Sequence, residues 1–414
     1  MRQSKLFGKT RREVSKEEKS INAELLTRCG FIEKHMAGVY NYLPLGLRVF
    51  RKVENIIREE MNSIGGQEML MTALQPKELW ERTGRWSDMK EIMYQFEDGH
   101  GSEVGLATTH EEVVTELAKQ QIKSYKDLPI YIYQIQNKFR NEKRAKSGLL
   151  RGREFSMKDL YSFHTDEKDL DDYYMVVHDV YLKIFQRLGL EAFSVEASGG
   201  AMSKQFSHEF MVKTEAGEDL TILCNKCFWA QNKEISKIKV GDRCPKCGFK
   251  TEEVKTVESG NIFRLGTKYS SALGLKYTTE DGKMKEVLMG SYGIGLGRIM
   301  GTVVEASHDK DGIIWTKATT PYQVHLLNLS KNDKTNEQAD SIYEKLVKNG
   351  IEVLYDDRDI SYGKKLKDAD LLGNCLQLII SDKQSKLELI YRKDHSKELV
   401  DIDGAVKKIK EFYA

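Results

Sequence analysis

The chain has 414 residues, 40% of them hydrophobic and 31% charged, with a formal net charge of +2. That length exceeds one ordinary core and predicts two or three domains of a soluble globular protein. A balance so near zero excludes a bulk polycation, so any nucleic-acid contact must rest on local patches. No apolar run reaches the length of a membrane span. The N-terminus mixes Arg2, Lys5, Lys9, Arg11 and Arg12 with Glu13, Glu17 and Glu18 and has no apolar signal core, so a cytoplasmic location is expected. Six cysteines, four of them in two CxxC pairs, fit a reduced compartment and a metal site better than a disulfide framework.

A helical stretch is expected over Lys16–Cys29. From Leu47, Phe50, Val53, Ile57, Met61 and Ile64 recur at helical spacing until Gly65-Gly66 ends the run. A strand is expected over Gln67–Leu74, closed at Pro76. In TTHEEVVTEL, Thr109 and Glu112 have the spacing of a capping box at the head of an amphipathic helix, Glu111–Gln121. That reading leaves Glu111 without a structural reason.

Ile130–Arg140 and Arg153–Phe163 alternate as strands. The loop between them is too basic for an ordinary hairpin turn: Lys138, Arg140, Lys143, Arg144, Lys146, Arg151 and Arg153 stand against Glu142 alone. Alternation places Phe155, Met157, Asp159, Tyr161 and Phe163 on one face, with Arg140 beside them. A guanidinium fork matches phosphate oxygens and a ring offers a stacking surface, so the pair describes a nucleotide bed; the bland alternative is a solvated hairpin with a charged tip.

Residues 165–190 predict an amphipathic helix lined by Leu170, Tyr174, Val177, Tyr181, Ile184 and Leu188, with His178 structural. SGGAMSKQFSHEF follows, with His208 near its end. Cys224, Cys227, Cys244 and Cys247 form C-x2-C-x16-C-x2-C, which suits one tetrahedral zinc ion; four protein ligands leave no open position, so the site is structural. Gly290, Gly293, Gly295 and Gly297 allow close backbone approach at a strand-to-helix junction headed by Arg298. Beyond Pro321, strands over Tyr322–Leu329, Ile351–Tyr355, Leu376–Ser381 and Leu387–Tyr391 alternate with helices over Asn336–Lys348, Lys364–Leu372 and Asp403–Phe412, the pattern of a small α/β domain with a mixed sheet.

FRNE at Phe139–Glu142 with REF at Arg153–Phe155 resembles motif 2 of the class II aminoacyl-tRNA synthetases. The wider text, YQIQNKFRNEKR and REFSMKDLYSFH, resembles the bacterial type of the prolyl-tRNA synthetase family. The helix and strand closing on Pro76 resemble motif 1, MGSYGIGLGRIMG resembles motif 3, and Asp356–Gly373 is similar to the anticodon-binding domain shared by the prolyl, threonyl, histidyl and glycyl enzymes. The resemblance covers nearly the whole chain.

It implies an α+β catalytic domain on an antiparallel sheet in residues 1–216 and 258–319, a short zinc-ribbon-like insertion in 217–257, and an α/β anticodon-binding domain in 320–414. It implies that proline and ATP give prolyl adenylate, whose prolyl group passes to tRNA(Pro), in a homodimer formed through motif 1. In that frame Arg140 bears on the α-phosphate, Glu142 on the adenine amino group and Phe155 on the adenine face. Arg151 and Gly295 belong to the ATP site, and Arg298 with Mg2+ handles the outer phosphates. Thr109, Glu111, Met157, Asp159, His208, Ser291 and Gly293 belong near proline. Arg144 is the expected acceptor-end contact, and Arg358 and Lys364 are expected at the anticodon.

Bacterial members commonly hold a large editing domain between motifs 2 and 3, whereas only FWAQNKEISKIKVGDR separates the two CxxC pairs here. Editing in cis is therefore not expected, which leaves alanine discrimination leaky or dependent on a separate editing protein. The chain departs from the family at Thr108, where Pro is usual, at Ser291, often Cys, and at the RAKSG loop tip. Two other readings stay open: a sister enzyme for threonine or histidine, opposed by the Thr-His-Glu loop, and a non-catalytic synthetase-like module, opposed by the presence of Arg140 and Arg298.

Overall fold

The structure, a computed structural model, describes residues 1–13, 20–145, 147–200, 202 and 206–414. Two compact units emerge, one made of Met36–Val39 and Glu54–Thr302, the other of Met1–His35, Tyr40–Val53 and Val303–Ala414.

The first unit is built on a nine-stranded sheet. Its strands are β1 (Gln67–Glu68), β2 (Ile130–Phe139), β3 (Glu154–His164), β4 (Ala192–Ala197), β5 (Ser207–Lys213), β6 (Asp219–Leu223), β7 (Ala230–Asn232), β8 (Glu252–Gly266) and β9 (Leu288–Gly295). They run in the order β5-β4-β7-β6-β8-β9-β3-β2-β1, and β5 also pairs with β8. Every pairing is antiparallel except β1 with β2 and the single register position shared by β7 and β4.

One sheet face carries the helix Glu167–Arg187. Asp166 caps it by accepting the Asp169 N–H, and Leu170, Tyr174, Val177, Tyr181 and Ile184 are buried as their spacing predicts. Each such side chain contributes about 1.5–3 kcal/mol on burial. The helix Glu111–Gln121 places Val114 and Ala118 in one cluster with Tyr161, Phe163, Tyr269 and Met289. The β3 face foreseen from alternation is thus divided: Phe163 is core, while Phe155, Met157 and Asp159 line a cleft.

Three local expectations are corrected. The stretch Gln67–Leu74 is not one strand, because the Met71 N–H goes to the side-chain Oε1 of Gln134; β1 stops at Glu68, and Leu74–Pro76 joins a separate sheet with Glu103–Leu106 and Gln95–Glu97. The Thr109/Glu112 capping box does not form. Arg85 Nη1 donates to both oxygens of Glu112 at 3.0 Å and Thr83 Oγ1 donates at 2.9 Å, which leaves His110 at the cap without a side-chain bond. The helix expected from Lys16 is described as Ile21–Arg28, and residues 14–19 lie outside the described residues.

A division at residue 257 would fall inside β8, and β6 and β7 belong to the same sheet as the cleft strands, so the four-cysteine segment is rooted in that sheet. The helix anticipated from Leu47 runs over Pro44–Ser63; Gly65 follows with φ +81°, and the Gly66 N–H returns to the Met61 carbonyl.

The second unit carries a five-stranded mixed sheet in the order Val353–Asp356, Val324–Leu329, Leu376–Ser381, Leu387–Tyr391, Lys397–Val400. The first three strands are parallel and the last two antiparallel. Helices Asp333–Lys348, Tyr362–Leu372 and Ile402–Tyr413 accompany it. The strand Lys397–Val400 was not anticipated: KELV is only four residues long and half of it is charged.

Candidate functional site

A cleft of about 360 Å³ opens where β3 and β9 emerge from the core. Its strands follow from alternation: Phe155, Met157 and Asp159 on β3, and Ser291, Gly293 and Gly295 on β9, all face it. A Cβ at Gly293 would stand 3.5 Å from Met157 Sδ, an ordinary contact, so it would fit and would only take space from the cleft.

One end is cationic. Arg140 lies just past β2, where its N–H donates to the Arg153 carbonyl at 2.8 Å. Its guanidinium donates through Nε and Nη2 to the Thr108 carbonyl at 3.4 Å and sits 5.2 Å from the centre of the Phe155 ring. Burial first, then the neighbouring Arg298, lower its pKa from the ordinary guanidinium value, yet an arginine remains charged. Arg298 donates through Nη1 to the Glu258 carbonyl at 2.8 Å and carboxylate at 3.0 Å, and through Nε to the Leu150 carbonyl at 3.0 Å. Two guanidiniums over one apolar wall make a place for an anion. Arg151 Nε donates to the Glu142 carboxylate at 2.9 Å, which ties the loop back over the cleft.

The other end holds two buried carboxylates. Glu111, left unexplained by helix geometry, accepts from Thr109 Oγ1 at 2.5 Å, Ser291 Oγ at 3.0 Å and Arg85 Nη1 at 3.4 Å. Asp159 accepts from Gln134 Nε2 at 2.9 Å and Tyr161 OH at 3.0 Å, with Lys138 Nζ 2.6 Å from its other oxygen. Lys138 is fully buried; burial pushes its ammonium pKa down, and Asp159 opposes the shift. Burial, and then Lys138, push His110 down to about 4, so it is a neutral ring that donates through Nε2 to the Thr72 carbonyl at 3.0 Å.

The cleft brings together Thr109, Glu111, Arg140, Glu142, Arg151, Phe155, Met157, Asp159, Ser291, Gly293, Gly295 and Arg298. It does not bring in His208. That residue alternates to the other side of β5, where its Nδ1 is 2.8 Å from Tyr174 OH and its ring meets His178 on the helix Glu167–Arg187. Arg144 is exposed on the loop, and Lys146 beside it lies outside the described residues, as do residues 201 and 203–205. In the second unit Arg358 is engaged internally, with Nε and Nη2 2.8 and 2.6 Å from Asp356 and Nη1 3.0 Å from Asp368; Lys364 donates to Asp368 at 3.2 Å.

Sequence reasoning gave no place at the site to Arg85 or Glu258, counted Lys138 only among the cations of the loop, and placed Tyr161 on the shared strand face without a role of its own. Gln134, Gln136 and Lys138 recur at every second position of β2, and that polar face was a usable signal for Lys138. Arg85 lies in a four-residue helix with no pattern to mark it.

The four cysteine sulfurs all lie within 4.8 Å of one another. Cys224 and Cys244 open two equivalent turns: the Phe228 and Gly248 N–H groups return to their carbonyls at 2.8 Å, and their own N–H groups reach the Trp229 and Phe249 carbonyls. Phe228 and Gly248 both take positive φ, +55° and +74°. Sulfur separations of 3.5 Å (Cys224–Cys247) and 3.6 Å (Cys227–Cys244) suit one tetrahedral thiolate-bound ion with metal–sulfur distances of about 2.3 Å.

An antiparallel sheet bearing a guanidinium-flanked cleft, followed by a small α/β unit, defines a class II aminoacyl-tRNA synthetase. The chain matches the family profiles "tRNA synthetase class II core domain (G, H, P, S and T)" over residues 94–307 and "Anticodon binding domain" over 323–412. It is 34% identical to the proline–tRNA ligase of Halothermothrix orenii across 100% of this chain and 99% of that one. It is 32% identical to the enzyme of Desulforamulus reducens, with the same coverage. The chain belongs to the proline–tRNA ligases, enzymes that use ATP to attach proline to tRNA. The first alignment spans 563 positions against 414 residues here, so the relative carries sequence that this chain lacks. In fold it is similar to the prolyl-tRNA synthetase of Cryptosporidium parvum complexed with halofuginone and AMPPNP, with TM-score 0.78, 15% identity, and 94% of this chain and 76% of that one covered. The Giardia lamblia enzyme in complex with prolyl-adenylate gives TM-score 0.78 and 17% identity, with 94% and 78% covered.

Proposed function

We propose that this cleft forms prolyl adenylate, with Arg140 and Arg298 at the phosphate end and Glu111 and Asp159 at the amino-acid end. The carrying observation is that opposition of charge, since proline joined to AMP has a cationic amine at one end and a phosphate at the other. The proline carboxylate attacks the α-phosphate in line and pyrophosphate leaves. Arg140 stabilises the charge that builds on the phosphate oxygens, so no covalent enzyme intermediate is needed. Phe155 stacks on adenine, Glu142 accepts from its amino group, and Arg151 holds Glu142 in place. Gly295 gives the nucleotide room, and Arg298 receives the outer phosphates.

Thr109 and Ser291 orient Glu111 toward the secondary ammonium, with Met157 and Gly293 forming the wall against the ring. A ribose hydroxyl of the terminal adenosine of tRNA then takes the prolyl group. Glu258, which lines the cleft beside Arg298, is the carboxylate placed to contribute to Mg2+, whose other ligands would be ATP phosphates and water. Magnesium would supply charge neutralisation to the phosphates there.

Residues 217–257 act as a zinc-ribbon-like insertion held by Cys224, Cys227, Cys244 and Cys247, in a catalytic domain of residues 1–319; residues 320–414 bind the anticodon. With so short a spacer the enzyme does not edit alanyl-tRNA(Pro) in cis, and a trans-editing protein clears it. Arg144 contacts the acceptor end. The protein works as a cytoplasmic homodimer. Pyrophosphate exchange with proline, alanine, threonine and histidine, each supplied separately, tests the assignment. Proline should dominate, and exchange with none of them would leave a non-catalytic module.

A further inference from the structure

The stretch from Cys224 to Thr251 holds six lysines and one arginine against Glu234 and Asp242, a formal side-chain charge of +5 that stays positive, about +3, with a zinc ion on four thiolates, in a chain whose total is +2. Lys226, Lys237, Lys239, Arg243, Lys246 and Lys250 are exposed and, among the described residues, pair with no carboxylate. Stability does not require this concentration of like charge, which repels itself.

The apolar residues point the same way. Phe228 closes the first cysteine turn, Phe249 follows the second, and they are 65% and 52% exposed. A large ring so exposed gains nothing from the core. Each is flanked by free cations, Lys226 before Phe228 and Lys246 and Lys250 around Phe249. Aromatic faces set among cations are the means by which proteins hold unpaired nucleotides, bases on rings and phosphates on ammonium groups.

Location supplies the occupant. The module grows from β6 and β8, and β8 carries Glu258 in the cleft, six residues, or ~20 Å, from its Glu252 end. At its root Glu218 accepts from Arg151 Nη1 at 2.9 Å and from Ser147 Oγ at 2.8 Å, so the basic loop after β2 and the cysteine module meet on one side of the cleft. A tRNA placing its terminal adenosine over the adenylate brings its unpaired 3′ nucleotides to the mouth of the cleft, and the basic loop and the cysteine module flank one side of that mouth. We infer that the four-cysteine module is a binding surface for the single-stranded 3′ end of tRNA, with Phe228 and Phe249 as stacking platforms and the surrounding lysines as phosphate contacts. This rests on the reading of the chain as a proline–tRNA ligase.

The test uses the full 414-residue enzyme with Phe228→Ala and Phe249→Ala combined, and separately with Lys226→Ala and Lys246→Ala combined. The KM for tRNA in aminoacylation should rise roughly tenfold or more for the aromatic pair. The lysine pair should flatten the dependence of log affinity on log salt by about 0.7 for each phosphate no longer neutralised. Proline-dependent pyrophosphate exchange without tRNA should stay at the wild-type level. A tRNA trimmed of its unpaired 3′ nucleotides should bind wild type and variants alike. An unchanged KM for tRNA overturns the inference. So does an equal loss on trimmed and intact tRNA, which would place duplex on the surface, and so does a parallel loss of exchange, which would make the module structural. Exchange by the wild-type enzyme tests the underlying reading separately.

Discussion

Lys138 Nζ lies 2.6 Å from Asp159 Oδ1, a fully buried ammonium behind a carboxylate that lines the cleft. Neither charge is reached by bulk water, so each depends on the other. Lys138→Met would leave Asp159 buried against Gln134 and Tyr161 alone, a change of the kind that costs about 3–5 kcal/mol. Thermal melting should drop, and the KM for proline should rise more than the KM for ATP. Equal effects on both would show that the pair only stiffens the sheet.

Glu111→Gln removes charge with little change of shape. With its oxygen in the Oε2 place, Gln still accepts from Thr109 and Arg85, and its amide N–H can donate to Ser291 Oγ, which turns to accept, so the fold should hold while proline loses its counter-ion. The KM for proline should rise by roughly tenfold or more, against a small change for ATP. A variant that activates proline normally would remove Glu111 from the amino-acid site.

Cys247→Ser should release the metal and lower the melting temperature, because a structural zinc site contributes folding energy directly. Elemental analysis of the wild-type protein should find one zinc per chain. Metal-free protein with full stability would contradict the assignment.

Asp309 and Arg392 supply the pH dependence. Arg392 is 1% exposed and donates through both terminal nitrogens to Asp309 at 2.7 Å. Those hydrogen bonds hold the Asp309 carboxyl well below the usual carboxylate range. A depressed acid adds stability that is complete above its unfolded pKa, about 3.9, and is lost as pH falls toward the folded value. Asp309→Asn should therefore be less stable by about 3 kcal/mol at pH 7, and the gap should close below about pH 4 in acid-unfolding curves. A gap that persists far below that pH would mean the carboxylate is not its source.

Much of this arrangement was legible in the amino-acid order. Alternation placed Phe155, Met157 and Asp159 on one face, and Gly293 and Gly295, singled out by their spacing, line the same cleft. What was illegible depended on distant partners. Thr109 and Glu112 have capping-box spacing, but Arg85, brought in from another element, takes Glu112 instead. His208 sits near the expected segment, yet strand parity turns it toward Tyr174. Arg358 looked free for RNA because Asp368, ten positions on, returns to it only through the turn of a helix.

The most direct measurement is proline-dependent pyrophosphate exchange by the wild-type enzyme and by Arg140→Ala. The account predicts exchange with proline by the wild type and a loss of roughly 10²–10³-fold in kcat for the variant, the effect of removing one preorganised donor from a developing oxyanion. Undiminished exchange by a folded Arg140→Ala protein would contradict it, because the phosphate end of the cleft would then lie elsewhere.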